Sequence, residues 1–158
     1  MNNERILINK LKSFENINSN LINILLALFG TFLLAISSKV QVPFWPVPMT
    51  MQTFVIFLIG MTYGVRLSFA TVALYLFEGA AGLPVFASGG GIAYLIGPTA
   101  GYLYGMLFAS VAISYLANLG FSKTYFKATL SLVAGSIIIF SIGIIYLGSI
   151  IGYEKAIA

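Results

Sequence analysis

Residues 39–52 read Lys-Val-Gln-Val-Pro-Phe-Trp-Pro-Val-Pro-Met-Thr-Met-Gln, which sets Pro43, Pro46 and Pro48 beside Phe44 and the sole tryptophan, Trp45. Each proline fixes its own φ, lacks an N–H and keeps its predecessor out of the α region, so no helix passes through this stretch. Apolar runs of helical length flank it on both sides. Irregular backbone between membrane-type segments is tolerated only at the interface, buried in protein or lining a cavity. The stretch therefore separates two spans and marks where a ligand is expected.

The composition supports that reading. With 59% hydrophobic and 8% charged residues and a mean hydropathy of +1.00, the chain falls far below the roughly 25% charge of a soluble domain. An all-α integral membrane helical bundle is expected, held together by close packing rather than by water-driven burial. The net charge of +4 comes from eight basic and four acidic residues scattered along the chain, which leaves no basic stripe for nucleic acid. Cysteine, histidine and aspartate are absent from the sequence, so thiolate nucleophiles, Cys/His metal sites and Ser-His-Asp triads are excluded. Glu4, Glu15, Glu78 and Glu154 are too dispersed for a paired-carboxylate mechanism. The reading is of a protein that is not an enzyme and uses no metal or cofactor.

Along the chain, residues 1–18 read as a polar tail with Arg5, Lys10 and Lys12 against Glu4 and Glu15, compatible with an interfacial helix. Residues 19–158 form one transmembrane domain. Its expected segments are about 20–38, 50–63, 66–78, 97–118 and 126–147, with outer loops at 39–49 and 79–96. A signal peptide competes for the first segment, but the long polar leader and the spans that follow favour a retained helix. Gly64 is expected to turn the chain between the second and third segments, because one continuous helix would place Arg66 near mid-membrane at a cost of at least ~2.5 kcal/mol. Both resulting helices are short, so tilting or extension into the loops is expected. In the second loop, Gly89, Gly90 and Gly91 permit positive φ and close backbone approach. A flexible connection and a structured loop over a site are both compatible with that composition.

Two stripes of small residues point to close helix contacts. Gly97, Gly101, Gly105 and Ala109 recur every four residues in the fourth segment, and Asn118-Leu-Gly120 provides an αL stop after it. Ala27, Thr31 and Ala35 do the same in the first segment, either for packing within the chain or for docking a partner subunit. An N-terminus on the cytoplasmic side puts Arg5, Lys10, Lys12, Arg66, Lys123 and Lys127 inside and leaves Lys39 and Lys155 outside, as the positive-inside rule prefers. A multi-pass protein of the plasma membrane with both irregular loops facing outward results.

Four ordered motifs together resemble the BioY family: Val-Pro-Phe-Trp-Pro-Val-Pro-Met-Thr-Met-Gln-Thr (42–53), Gly-Leu-Pro-Val-Phe-Ala (82–87), the run Gly89 to Gly91, and Gly-Pro-Thr-Ala-Gly-Tyr (97–102). The resemblance is dense from Ala27 to Leu116 and rests on hydropathy elsewhere. It implies the biotin-binding substrate (S) component of an energy-coupling-factor (ECF) transporter, working with a transmembrane T subunit and ATPase subunits in the lipid bilayer. It places Phe44, Trp45 and Gln52 around biotin, Gly89 and Gly90 in a backbone-lined loop and Tyr102 at the pocket wall. Ala27, Thr31 and Ala35 match its T-subunit contact. No Gly-x-x-x-x-Gly-Lys-Ser/Thr is present, so ATP hydrolysis belongs to other subunits.

The sequence departs from the family in two places. Gly90 stands where some relatives carry asparagine, so backbone groups or water take over that hydrogen bond. The family's sixth helix, with its Gly-Asp and lysine, has no counterpart in the five segments, which reads as C-terminal truncation. Lys39 is a substitute partner for the biotin carboxylate, or else pairs with Glu78. Two other readings remain: an ion-coupled secondary transporter of a small vitamin-like solute, and a truncated, non-transporting remnant that only associates with transporter partners.

Overall fold

The computed structural model describes residues 19–157, so the polar tail of residues 1–18 lies outside the described residues. Helix α1 (Ser19–Lys39) begins where the sequence turns apolar and ends where the prolines begin. The proline zone is not plain loop. Gln41–Val42 (β1) and Met49–Thr50 (β2) pair antiparallel, Gln41 opposite Thr50 and Val42 opposite Met49, and the Trp45–Pro46 peptide is cis. The residues bracketing the prolines are pushed into extended conformation, and once extended they pair with each other.

Helices α2 (Gln52–Thr62) and α3 (Val65–Ala80) follow. Gly64 turns the chain between them at φ 77, a left-handed value that glycine adopts without steric cost. Arg66 is exposed at the start of α3, as the expected break requires. A 3-10 turn at Ile92–Leu95 precedes α4 (Ala100–Asn118), and Gly120 stops α4 in the αL conformation. Helix α5 (Tyr125–Ile151) runs past the expected end at 147 to a break at Gly152, and a short α6 (Tyr153–Ile157) folds back so that the Tyr153 ring covers Gly148.

The expected five spans are only partly matched. Helices α1, α4 and α5 are long and apolar enough to cross a membrane. Helix α2, with 11 residues, reaches only ~16 Å at ~1.5 Å per residue, about half of a ~30 Å hydrocarbon core. Helix α3 gains length at both ends relative to its expected bounds and reaches 16 residues.

Helix α4 sits centrally, against α2, α3 and α5. Its contact with α5 is set by the glycines. A Cβ on Gly105 would lie 2.9 Å from both the Cα and the carbonyl oxygen of Ile139, and one on Gly101 would run into Tyr146. Helix α5 answers with Gly135 against Ile113 and Gly143 against the Tyr102 ring, a reciprocal pattern the sequence reading missed. Gly97 is not part of this stripe. It lies in the turn before α4, where Ala100 N–H donates to the Gly97 carbonyl, and a Cβ there would have nothing closer than 3.5 Å.

The Ala27–Thr31–Ala35 stripe faces inward. Ala27 and Thr31 are buried, Ala35 packs against the core, and the adjacent Gly30 meets Tyr63 and Ile59. Packing within the chain occupies this face, because small residues let α1 approach α3 closely. Of the three residues read as a T-subunit contact, Ala27 and Thr31 are buried and Ala35 is half-buried. The outward side of α1 carries Phe29, Phe32 and Ile36 instead.

Hydroxyls tie the helices at the end away from the hairpin. Ser114 donates to the Gly60 carbonyl (2.8 Å), Ser68 to the Ser110 carbonyl (3.2 Å) and Tyr63 to the Leu26 carbonyl (3.0 Å). Interhelical bonds of this kind average about 0.6 kcal/mol in membranes. Ser114→Ala is therefore expected to lower the melting temperature in detergent by only one or two degrees, at roughly 2–4 °C per kcal/mol for a chain this size.

Candidate functional site

The two irregular zones meet at the hairpin end of the bundle, held by a chain of hydrogen bonds. Thr50 donates to Gln52 Oε1 (2.9 Å), Gln52 Nε2 donates to the Tyr75 hydroxyl (2.6 Å), and Tyr75 donates to the Val85 carbonyl (2.8 Å). The Ser38 hydroxyl also reaches the Val85 carbonyl, at 2.8 Å, and Lys39 Nζ donates to the Phe86 carbonyl at 2.6 Å. The first loop, the end of α1 and the second loop are thus joined through three side chains of α1 and α3 and one of α2. Lys39 spends its ammonium on this carbonyl rather than on Glu78.

The second loop is ordered around Phe86, which is fully buried. Its ring stacks on Tyr94 with centroids 4.8 Å apart and meets Tyr75 edge-on at 5.4 Å, both favourable aromatic geometries. Gly79 makes room for it, since any Cβ there would enter the Phe86 ring. Gly91, at φ 103, donates its N–H to the Gly79 carbonyl at 2.6 Å and pins the glycine run to the end of α3. Of the two readings open from composition, the structured loop holds.

Above Phe86 lies a cavity of about 170 Å³. Its rim comes from the second arm of the hairpin, Val47 to Thr50, its floor from Phe86 and Tyr94, and its far walls from Tyr102 and Met106 on α4 and Ile139 and Phe140 on α5. Gln52 lines it while almost fully buried, at 4% exposure. Thr50 and Tyr75 each take one of its hydrogen-bonding positions, which leaves one amide N–H and one carbonyl lone pair for a ligand. Among the described residues, no charged side chain lines the cavity. Chemically it offers an apolar, aromatic slot with one oriented amide that both donates and accepts.

The residues expected around a ligand divide into three groups. Gln52 and Tyr102 line the cavity. Phe44 and Trp45 do not: they stand at the hairpin tip, 57% and 80% exposed, because the β1–β2 pairing turns residues 47–50 inward and carries the tip away. Gly89 and Gly90 shape the loop from behind. Gly89 exchanges backbone hydrogen bonds with Phe86, and Gly90 lies against the Leu83 carbonyl. Thr50, Tyr75, Phe86 and Tyr94 were missed. Phe86 lay inside a quoted motif, and a tyrosine in an apolar helix, such as Tyr75, signals a partner for its hydroxyl.

Tyr75→Phe removes the acceptor that fixes the Gln52 amide and leaves one buried N–H unpaired, although Val85 keeps Ser38 as donor. The expected effect is about 1 kcal/mol in ligand affinity, roughly fivefold, read by equilibrium binding.

Comparison with known proteins agrees with this architecture. Residues 9–158 match the BioY family. The chain is 32% identical over 151 residues to a probable biotin transporter BioY of Rickettsia prowazekii, covering 95% of this chain and 77% of that protein. It is 39% identical over 118 residues to the biotin transporter BioY of Thermotoga maritima, covering 74% and 69%. The 2.1 Å crystal structure of the S-component for biotin from an ECF-type ABC transporter superposes with a TM-score of 0.77 at 25% identity, covering 87% of this chain and 77% of that one. With the family match spanning nearly the whole sequence and the same fold recovered independently, the chain belongs to the BioY family.

Proposed function

We propose that this chain binds biotin and mediates its uptake as the S component of an ECF-type transporter. It does so in the plasma membrane, with its N-terminus cytoplasmic and the cavity facing outward. The observation that carries the reading is the oriented Gln52 amide at the wall of an otherwise apolar, aromatic cavity. The ureido group of biotin presents a carbonyl acceptor and N–H donors, which the free N–H and lone pair of Gln52 complement. The cavity, at about 170 Å³, is smaller than the ~300 Å³ at the low end of ligand pockets. It takes the fused rings, and the carboxylate chain leaves through the mouth. Relatives named as biotin transporters and as a biotin S-component support the choice of vitamin.

Energy for transport comes from a T subunit and ATPase subunits. The ion-coupled alternative calls for an ionisable residue in the transport path, and the lining residues of the cavity carry no charge. Purified protein is expected to bind radiolabelled biotin saturably, with displacement by unlabelled biotin. Absence of saturable binding overturns the proposal. Binding without uptake, in a biotin-requiring host that supplies T and ATPase subunits, identifies the non-transporting remnant instead.

A further inference from the structure

The hairpin tip has a surface that the ligand site does not use. Val40, Val42 and Phe44, in and beside the two-residue strand β1, are each more than half exposed, as are Met49 opposite Val42 and Trp45 at 80%. Single exposed apolar residues are ordinary, but a contiguous group on a short, pinned hairpin is not. The hairpin is held by its two pairs and by Met51 N–H donating to the Val40 carbonyl at 3.0 Å.

The patch continues the lipid-facing side of α1. Phe29, Phe32 and Ile36 are exposed at helical spacing, and Val40 follows in the same row just past the helix end. Lys39 occupies the last turn of this span and fixes a charge at its boundary. The tip beyond it therefore lies at the depth where tryptophan and other amphipathic aromatics concentrate.

We propose that Phe44 and Trp45 insert into the lipid interface beside the bundle, so that the hairpin is anchored by the bilayer and only its second arm serves the cavity. Trp45 is the sole tryptophan, and the intact protein therefore reports on this residue alone. The experiment is tryptophan fluorescence in phosphatidylcholine vesicles without added biotin. One set carries lipid brominated near the headgroup end of the acyl chain, a second carries lipid brominated near the methyl end, and a third receives aqueous iodide. A reference variant, Trp45→Phe with Phe32→Trp, places the probe on the lipid face of α1.

The expected result is quenching by the shallow bromines about twofold stronger than by the deep ones, as interfacial residence requires, with little effect from iodide. The order of the two bromine positions reverses or levels in the reference variant. Free quenching by iodide with no response to either brominated lipid overturns the proposal. So does a Trp45 that ignores lipid bromines and becomes shielded from iodide only when biotin is added, because the tip is then a lid. Neither result depends on whether biotin is the ligand, since the lipid arms contain none.

Discussion

Gln52→Leu is expected to lower biotin affinity about 100-fold while leaving the protein folded. Leucine keeps the volume at the cavity wall but removes both groups available to the ureido moiety. It also takes from the Thr50 hydroxyl its acceptor and from the Tyr75 hydroxyl the N–H it accepts, although Tyr75 keeps the Val85 carbonyl. Loss of a ligand hydrogen bond together with unpaired buried polar groups amounts to about 2–3 kcal/mol, and 1.4 kcal/mol is tenfold in affinity. Equilibrium binding of labelled biotin gives the number. Gln52→Glu separates orientation from shape: it retains the acceptor for Thr50 but offers the ligand no N–H, so it should bind nearly as weakly. Unchanged affinity in both variants would show that Gln52 only braces the loop and that the ligand contacts lie elsewhere.

The second large effect is structural. Gly105→Val puts side-chain carbon into the backbone of Ile139, already 2.9 Å from an ideal Cβ at this position. Rotamer changes cannot relieve a contact with backbone, so α4 and α5 must separate, and the reciprocal contacts at Gly135 and Gly143 loosen with them. Overpacking costs about 1–3 kcal/mol where side chains can adjust, and the upper end is expected here. Thermal unfolding in detergent should shift down by roughly 6–12 °C, at about 2–4 °C per kcal/mol for a chain of this size. Gly97→Ala is the control. It belongs to the same four-residue spacing in the sequence but lies outside the helix contact, with 3.5 Å of clearance, and should be neutral.

The contrast between those two glycines shows what periodicity could and could not reveal. Gly101, Gly105 and Ala109 were legible because an interface between membrane helices needs small residues on one face. Gly97 continued the pattern but belongs to a turn, because Pro98 and Thr99 hold the chain short of α4. The same limit applies to Ala27, Thr31 and Ala35. Their spacing identifies a close contact, but spacing does not say whether the facing helix belongs to the same chain.

At the site, two of the residues that the family resemblance sets around biotin, Gln52 and Tyr102, line the cavity, whereas Phe44 and Trp45 stand at the hairpin tip. A two-residue ladder separates the two pairs. Pairing Val42 with Met49 sets which arm of the hairpin faces the bundle, and strand register is not readable from so short a segment. Phe86 and Tyr75 were hidden for a related reason. Each looks like an ordinary apolar or aromatic residue until the second loop folds back and brings the Val85 and Phe86 carbonyls within reach of Ser38, Lys39 and Tyr75.

The sequence by itself determined the class of solvent, the breaks at the prolines and at Gly64, and the close approach of α4 to another helix. These are local consequences of composition, φ restriction and side-chain size. Only the tertiary structure decided which faces turn inward and which loop residues reach the cavity. Those choices depend on contacts between distant positions, such as Gln52 with Tyr75 and Ser38 with Val85, 23 and 47 residues apart, and their free energy appears only when the whole bundle has closed around them.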